Sequence, residues 1–276
     1  MKTKWTCIGA MALWLVAGAA GALAGDLDPF KGEAGAVKIS GGTAHIPVMK
    51  AAADAVMQAN AKIQISIAGG GSGVGIKQVG EGLVDIGNSG RKPTDEEIRK
   101  YGLVLHQWAI DGVAVVVHPQ NPVKALTAEQ LKAIYAGRLA NWKDLGGPDK
   151  AINIYTRDEA SGTREVFWEK ALAKGEISAK ALFAASNGAM KTAVAQDPYA
   201  IGYVSVGHID AGVAPVALDG VTPSIETVKA GTYKVARGLY SNTKGAPQGL
   251  TRKFIDFIFS AQGREMIVKQ GFIPVQ

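Results

Sequence analysis

The chain has 276 residues, 47% of them hydrophobic and 20% charged, with a formal net charge of +6. This length accommodates one large domain or two lobes that each bury a core. The positive excess is mild and dispersed, with no basic block interleaved with aromatics, which argues against nucleic acid as a partner; a single cysteine, Cys7, excludes a disulfide framework and a cysteine metal site.

Lys2 and Lys4 open the chain, and an uncharged apolar run follows from about Ile8 to Leu23. Ala22-Leu23-Ala24 gives a small-x-small cleavage pattern, and Gly25-Asp26 restore polarity. This layout predicts a secretory signal peptide over 1–24, cleaved after Ala24. As a membrane span the run is short and lacks a positive flank on its far side. Cys7 precedes the run, where a lipid-attachment cysteine would follow it, and cleavage removes it. The mature chain therefore begins at residue 25, without a thiol and outside the cytoplasm.

Strand and helix signals alternate from there on. Ile63, Ile65 and Ile67 alternate with polar residues as in a strand, and a helix is expected from Ser72 to about Gly82. Val84–Gly87 reads as a short strand, and Thr94 with Glu97 as a capping box. Ala114–Val117 is a continuous apolar run, as in a strand buried on both faces. Thr127 with Gln130 makes a second capping box. Ile152–Tyr155, Ile201–Val204 and Val235–Leu239 read as further strands, and Leu250–Phe259 has helical periodicity. The alternation predicts an α/β fold with mostly parallel sheets. Two extended stretches near glycine, Gln107–Gly112 and Val235–Leu239, could be crossings between lobes.

Three segments share one design, a strand, a turn of small polar residues and a helix start. A helix N-terminus offers free N–H groups and the positive end of its dipole, and so suits an anion. The first is Ser40–Pro47, with Pro47 in the first helical turn and Thr43, Ala44 and His45 just before it. The second runs from Ala68 to Lys77, where Gly69, Gly70 and Gly71 allow close backbone approach and Ser72 offers a hydroxyl. It is not a nucleotide-hydrolase phosphate loop, because Ile76 separates Gly75 from Lys77 and no Ser or Thr follows the lysine. The third, Tyr155–Arg164, is the most specific. Arg157 can grip an oxyanion with two prongs, Glu159 is close enough to orient it, and Ser161, Gly162 and Thr163 can donate at the helix start. A fourth segment, Asp85–Arg91, could add Ser89 or Arg91, and Ser186-Asn187-Gly188 is a weaker candidate. Lys77 and Arg164 read as solvated helix residues, and Trp108 and Trp142 as packing residues.

Together the segments GGTAHIPVM, GGGSGVGIK, DIGNSGR, AIDGVAVVV, LTAEQL, NWKDLGG, TRDEASGTR and AIGYVSVG resemble the phosphate-binding proteins of bacterial ABC importers in their short form. The resemblance runs from about Val37 to the C-terminus. It implies a type II periplasmic-binding fold, with two α/β lobes joined by two crossover hinges and the ligand in the cleft. By that likeness lobe one is 25–110 plus 237–276, and lobe two is 111–236. The matched binding positions are Thr43 or His45, Ser72, Gly73, Arg157, Ser161, Gly162 and Thr163. Aligning the glycines of the first loop favours Thr43; counting back from Pro47 favours His45. The resemblance also implies inorganic phosphate as ligand, an ABC permease at the inner membrane as partner, a periplasmic location and a monomer.

One position departs from the family pattern. Where well-known members have an aspartate that accepts the proton of hydrogen phosphate, this chain has Gly90, followed by Arg91. The element that rejects sulfate is absent there, and neutral His45 is the candidate replacement acceptor. A receptor for sulfate, molybdate or tungstate is therefore the alternative, as is a phosphate sensor without a transport role. A secreted phosphatase is disfavoured. The four histidines form no paired metal spacing and the Gly70–Val74 stretch lacks the last glycine of a nucleophile elbow. No enzyme activity, metal or cofactor is expected.

Overall fold

The computed structural model describes residues 25–275; the expected signal peptide falls outside the described residues. Among the described residues, twelve strands occur in chain order: β1 (Gly35–Gly41), β2 (Ile63–Gly70), β3 (Ile86–Ser89), β4 (Leu103–Val117), β5 (Ala125–Leu126), β6 (Asn153–Thr156), β7 (Leu182–Phe183), β8 (Ala200–Ser205), β9 (Ala214–Pro215), β10 (Ala217–Leu218), β11 (Ala236–Lys244) and β12 (Ile273–Pro274). The main path runs β2-β1-β3-β11-β4-β8-β6-β7. Its two flanks are parallel: β1 pairs with β2 and β3, and β6 with β7 and β8. Its centre is antiparallel, since β11 runs against β3 and β4, and β4 against β8. The expectation of mostly parallel sheets therefore holds for the flanks and not for the middle. There, β4 and β11 carry the chain between lobes in opposite directions.

Each flank has its own core. One gathers Val37, Ile39, Met49, Trp108, Leu239 and Phe254. The other gathers Val113, Val115, Leu131, Trp142, Phe167 and Tyr203. β4 enters both, with Trp108 and Ala109 in the first and Val113, Val115 and Val117 in the second. Its alternate residues Ala114 and Val116 face a third cluster with Met190 and Val194. That stretch is thus buried on both faces, as its unbroken apolar run requires. Both tryptophans are buried; Trp142 donates its Nε1–H to Tyr199 O, and Trp108 packs edge-on against His45 and Phe272.

Local signals place the helices. Thr94 and Glu97 close a reciprocal capping box on the helix Asp95–Tyr101, and Thr127 with Gln130 does the same for Ala128–Tyr135. The helix from Ser72 ends at Gly80, slightly short of the expected Gly82. No helix among the described residues is long and apolar enough to cross a membrane.

Candidate anion-binding site

β1, β2 and β6 each run into the start of a helix: Ile46–Ala59, Ser72–Gly80 and Gly162–Lys170. A further helix, Asn187–Gln196, opens close by. The N-termini of the first three converge on a small, tightly closed cavity between the lobes, and Asn187, at the start of the fourth, bonds Thr43. Gly42–His45 line it from the first loop, Gly71 and Ser72 from the second, and Arg157 with Ser161–Thr163 from the third. Gly90 and Arg237 complete the wall. Gly71 has φ +91°, and a Cβ on it would lie 2.6 Å from Ala160 O, so only glycine lets the two lobes meet there.

Four hydroxyls face this cavity, and each already accepts a protein hydrogen bond. Thr43 Oγ1 accepts from Asn187 N (3.2 Å) and Nδ2 (3.1 Å). Ser72 Oγ accepts from Gly90 N (2.9 Å), and Ser161 Oγ from Arg164 N (3.2 Å). Thr163 Oγ1 accepts from Arg237 Nη1 at 2.9 Å. Thr43 and Thr163 each accept two such bonds, the second to Thr163 from Asn187 Nδ2, so the O–H donor is what they retain for a ligand, while Ser72 and Ser161 keep an O–H and one lone pair. First-turn N–H groups lack intrahelical acceptors; those of Gly73, Arg164 and Asn187 are engaged by Ala160 O, Ser161 Oγ and Thr43 Oγ1, and those left free add to that set.

Arg157 is 1% exposed. Its Nη2 donates to Ala185 O (3.1 Å), while Nε and Nη1 have no protein partner. Burial, helped by the charge of Arg237, pulls its pKa below the usual arginine value. A buried guanidinium with unsatisfied donors is costly unless an anion meets it. Arg237, on β11, is the second cation of the wall and was not among the expected residues. Its Nε and Nη2 lie 2.9 and 2.8 Å from Asp111 Oδ2, and Ser205 Oγ donates to Asp111 Oδ1 at 2.8 Å. The pair is set by strand register, Arg237 lying opposite Asp111 across β11 and β4.

His45 is fully buried, and neither ring nitrogen has a protein partner. Burial and the nearby Arg237 charge push its pKa down to about 3, so the ring is neutral at physiological pH. An unfolded chain would protonate this imidazole below its ordinary pKa of about 6.5. Stability linked to His45 is therefore complete above that pH and falls as the pH drops toward 3, by about 1.4 kcal/mol per unit. Thermal melts at pH 6.5 and 4.5 should show a smaller acid-induced loss in His45→Gln than in wild type; equal losses would mean that the ring is not held neutral.

The two alternatives for the first loop are not separated by position, because Thr43, Ala44 and His45 all line the cavity. Ser72, Arg157, Ser161, Gly162 and Thr163 join them. Four expected residues do not. The N–H of Gly73 is engaged by Ala160 O across the lobes, at 3.0 Å. Ser89 lies behind the wall, its Oγ accepting from Asn242 Nδ2 at 2.8 Å. Glu159 is exposed and does not orient Arg157; the turn that sends the Arg157 side chain inward leaves Glu159 facing solvent. Arg91 points away from the cavity and bridges Glu97 of its own lobe (2.7 Å) and Glu165 of the other (2.7 Å). Asn187, the weaker candidate, ties Thr43 to Thr163. Among the described residues, no cluster of three His, Cys, Asp or Glu could hold a metal.

The chain matches the model of the PBP superfamily domain over residues 29–262. It is 37% identical to the phosphate-binding protein PstS of Bacillus subtilis, over 99% of this chain and 95% of that one. It is 32% identical to the PstS of Pseudomonas aeruginosa, over 78% of this chain and 75% of the other. Among solved structures, an ABC transporter substrate-binding protein with bound phosphate from Clostridium perfringens superposes with a TM-score of 0.82 at 38% identity, covering 88% of this chain and all of that one. An ABC-type phosphate transport receptor from Vibrio cholerae gives 0.69 at 31% identity, covering 87% of this chain and all of that one.

Proposed function

Because the chain belongs to the PBP superfamily and, within it, to the PstS phosphate-binding proteins, we propose that it captures inorganic phosphate between its lobes and delivers it to an ABC permease. The observation that carries this reading is the lining itself. Four hydroxyl donors, helix N-termini and the two free nitrogens of a buried Arg157 surround one small, tightly closed cavity. Such a wall suits a small tetrahedral oxyanion and has no room for an extended ligand.

In this reading the lobes are 25–110 with 237–276, and 111–236. They rotate about β4 and β11, and closing removes water from the site, which strengthens each hydrogen bond. Arg91 with Glu97 and Glu165 fastens the rim. Thr43, Ala44, Ser72, Ser161, Gly162 and Thr163 donate, Arg157 supplies charge, and His45 accepts the remaining proton of hydrogen phosphate. The chain works as a monomer in the periplasm after cleavage at Ala24, and it binds its ligand without transforming it.

Calorimetric titration of residues 25–276 with phosphate tests the function. Tight one-to-one binding is the expected result, and absence of heat with a folded protein would reject it.

A further inference from the structure

Gly90 and Arg237 share one piece of space. A Cβ built on Gly90 would stand 2.7 Å from Arg237 Nη1 and 3.1 Å from its Cζ. The guanidinium thus fills the place into which any side chain at position 90 would grow. It is fixed there from three sides, by Asp111 behind it, Thr163 Oγ1 across the cleft and Gly90 O at 3.3 Å.

The charges can be added. Asp111 balances Arg237 formally, but both of its oxygens are engaged, by Arg237 and by Ser205, and it does not line the cavity. The positive end of the pair faces inward. Arg157 adds an uncompensated charge, and each helix N-terminus adds roughly half a charge. No carboxylate lines the cavity. The one uncharged base in the lining is His45, and a neutral imidazole can present either a lone pair or an N–H. It suits a protonated oxygen with one tautomer and a bare oxygen with the other.

We propose that Arg237 makes this site a reader of ligand charge and not of ligand protonation, so that tetrahedral oxo-dianions bind as a class, sulfate together with hydrogen phosphate, and tetrahedral monoanions are refused. The inference rests on the phosphate-capture reading and extends it.

The test is competition at one pH against bound phosphate, using sulfate and perchlorate, which share a shape and differ in charge. Sulfate should displace phosphate and perchlorate should not. In the double variant Asp111→Asn/Arg237→Gln, which removes both charges together, sulfate affinity should fall on the order of 100-fold, as expected when a buried charged contact is lost. Arg237→Lys, which keeps the charge, should retain the preference for sulfate over perchlorate even if the double variant fails to fold. Phosphate binding without sulfate competition would overturn the charge-reading proposal and leave phosphate capture standing. Unchanged sulfate affinity in a folded double variant, or loss of the preference in Arg237→Lys, would remove Arg237 from the role. No phosphate binding at all would remove the reading on which the proposal depends.

Discussion

Arg157→Ala is expected to raise the dissociation constant for phosphate by about 100-fold to 1000-fold or more. Removing one partner of a buried, hydrogen-bonded charge pair typically costs about 2–5 kcal/mol, and each 1.4 kcal/mol or so is a factor of ten. Arg157 stands at that upper range because its Nε and Nη1 have no other use. Its fold contribution is small by comparison. Of its side-chain nitrogens, Nη2 alone hydrogen-bonds the protein, at Ala185 O, and the bond from Arg157 N to the Tyr203 hydroxyl belongs to the backbone and survives the substitution. The ligand-free variant should therefore melt close to wild type, since it also sheds a buried charge. Calorimetry and a melting curve on the same sample separate the two effects. Near-normal affinity would place the anion elsewhere; an unfolded variant would make Arg157 a structural residue.

Asp111→Ala is expected to act on stability first. It strips the counter-ion from Arg237 and the acceptor from Ser205 in a region with almost no solvent contact. Breaking a buried pair from one side costs about 3–5 kcal/mol. For a chain of this size that is a fall in melting temperature of roughly 10 °C. Denaturant or thermal unfolding measures it directly. The double variant Asp111→Asn/Arg237→Gln should recover much of the loss, because it leaves no uncompensated charge. A melting temperature for Asp111→Ala within about 2 °C of wild type would mean that water or another group replaces the carboxylate.

The difference between what could be read from the sequence and what could not follows from distance along the chain. Capping boxes, apolar runs and glycine-rich turns act within a few residues, and the helices at Ser72, Asp95, Ala128 and Gly162 start where those signals lie. That the three glycine- and hydroxyl-rich loops stand at helix starts was legible for the same reason. Arg237 was not, because its meaning comes from register with Asp111, 126 positions away. One trace was available, namely single opposite charges placed inside two otherwise apolar stretches, Ile110–Val117 and Val235–Leu239. Proximity in sequence also misled. Glu159 and Ser89 are near their expected partners along the chain, yet one faces solvent and the other serves Asn242. Gly73, by contrast, sits at the right helix start but gives its N–H to Ala160.

The adjacency of β4 and β11 has a consequence for how an anion is taken up. Points on a rotation axis barely move, while points at the rim sweep the longest arc. Asp111 and Arg237 face each other on these two strands, and Arg91 meets Glu165 far along the chain on opposite lobes. With the proposed rotation about β4 and β11, the rim clasp separates as the lobes part, and Arg237 gives up Thr163 but keeps its carboxylate. An incoming oxyanion would then meet a fixed landing post at the bottom of the cleft, and Arg157 with the Ser161–Thr163 turn would swing onto it like a jaw closing on a peg.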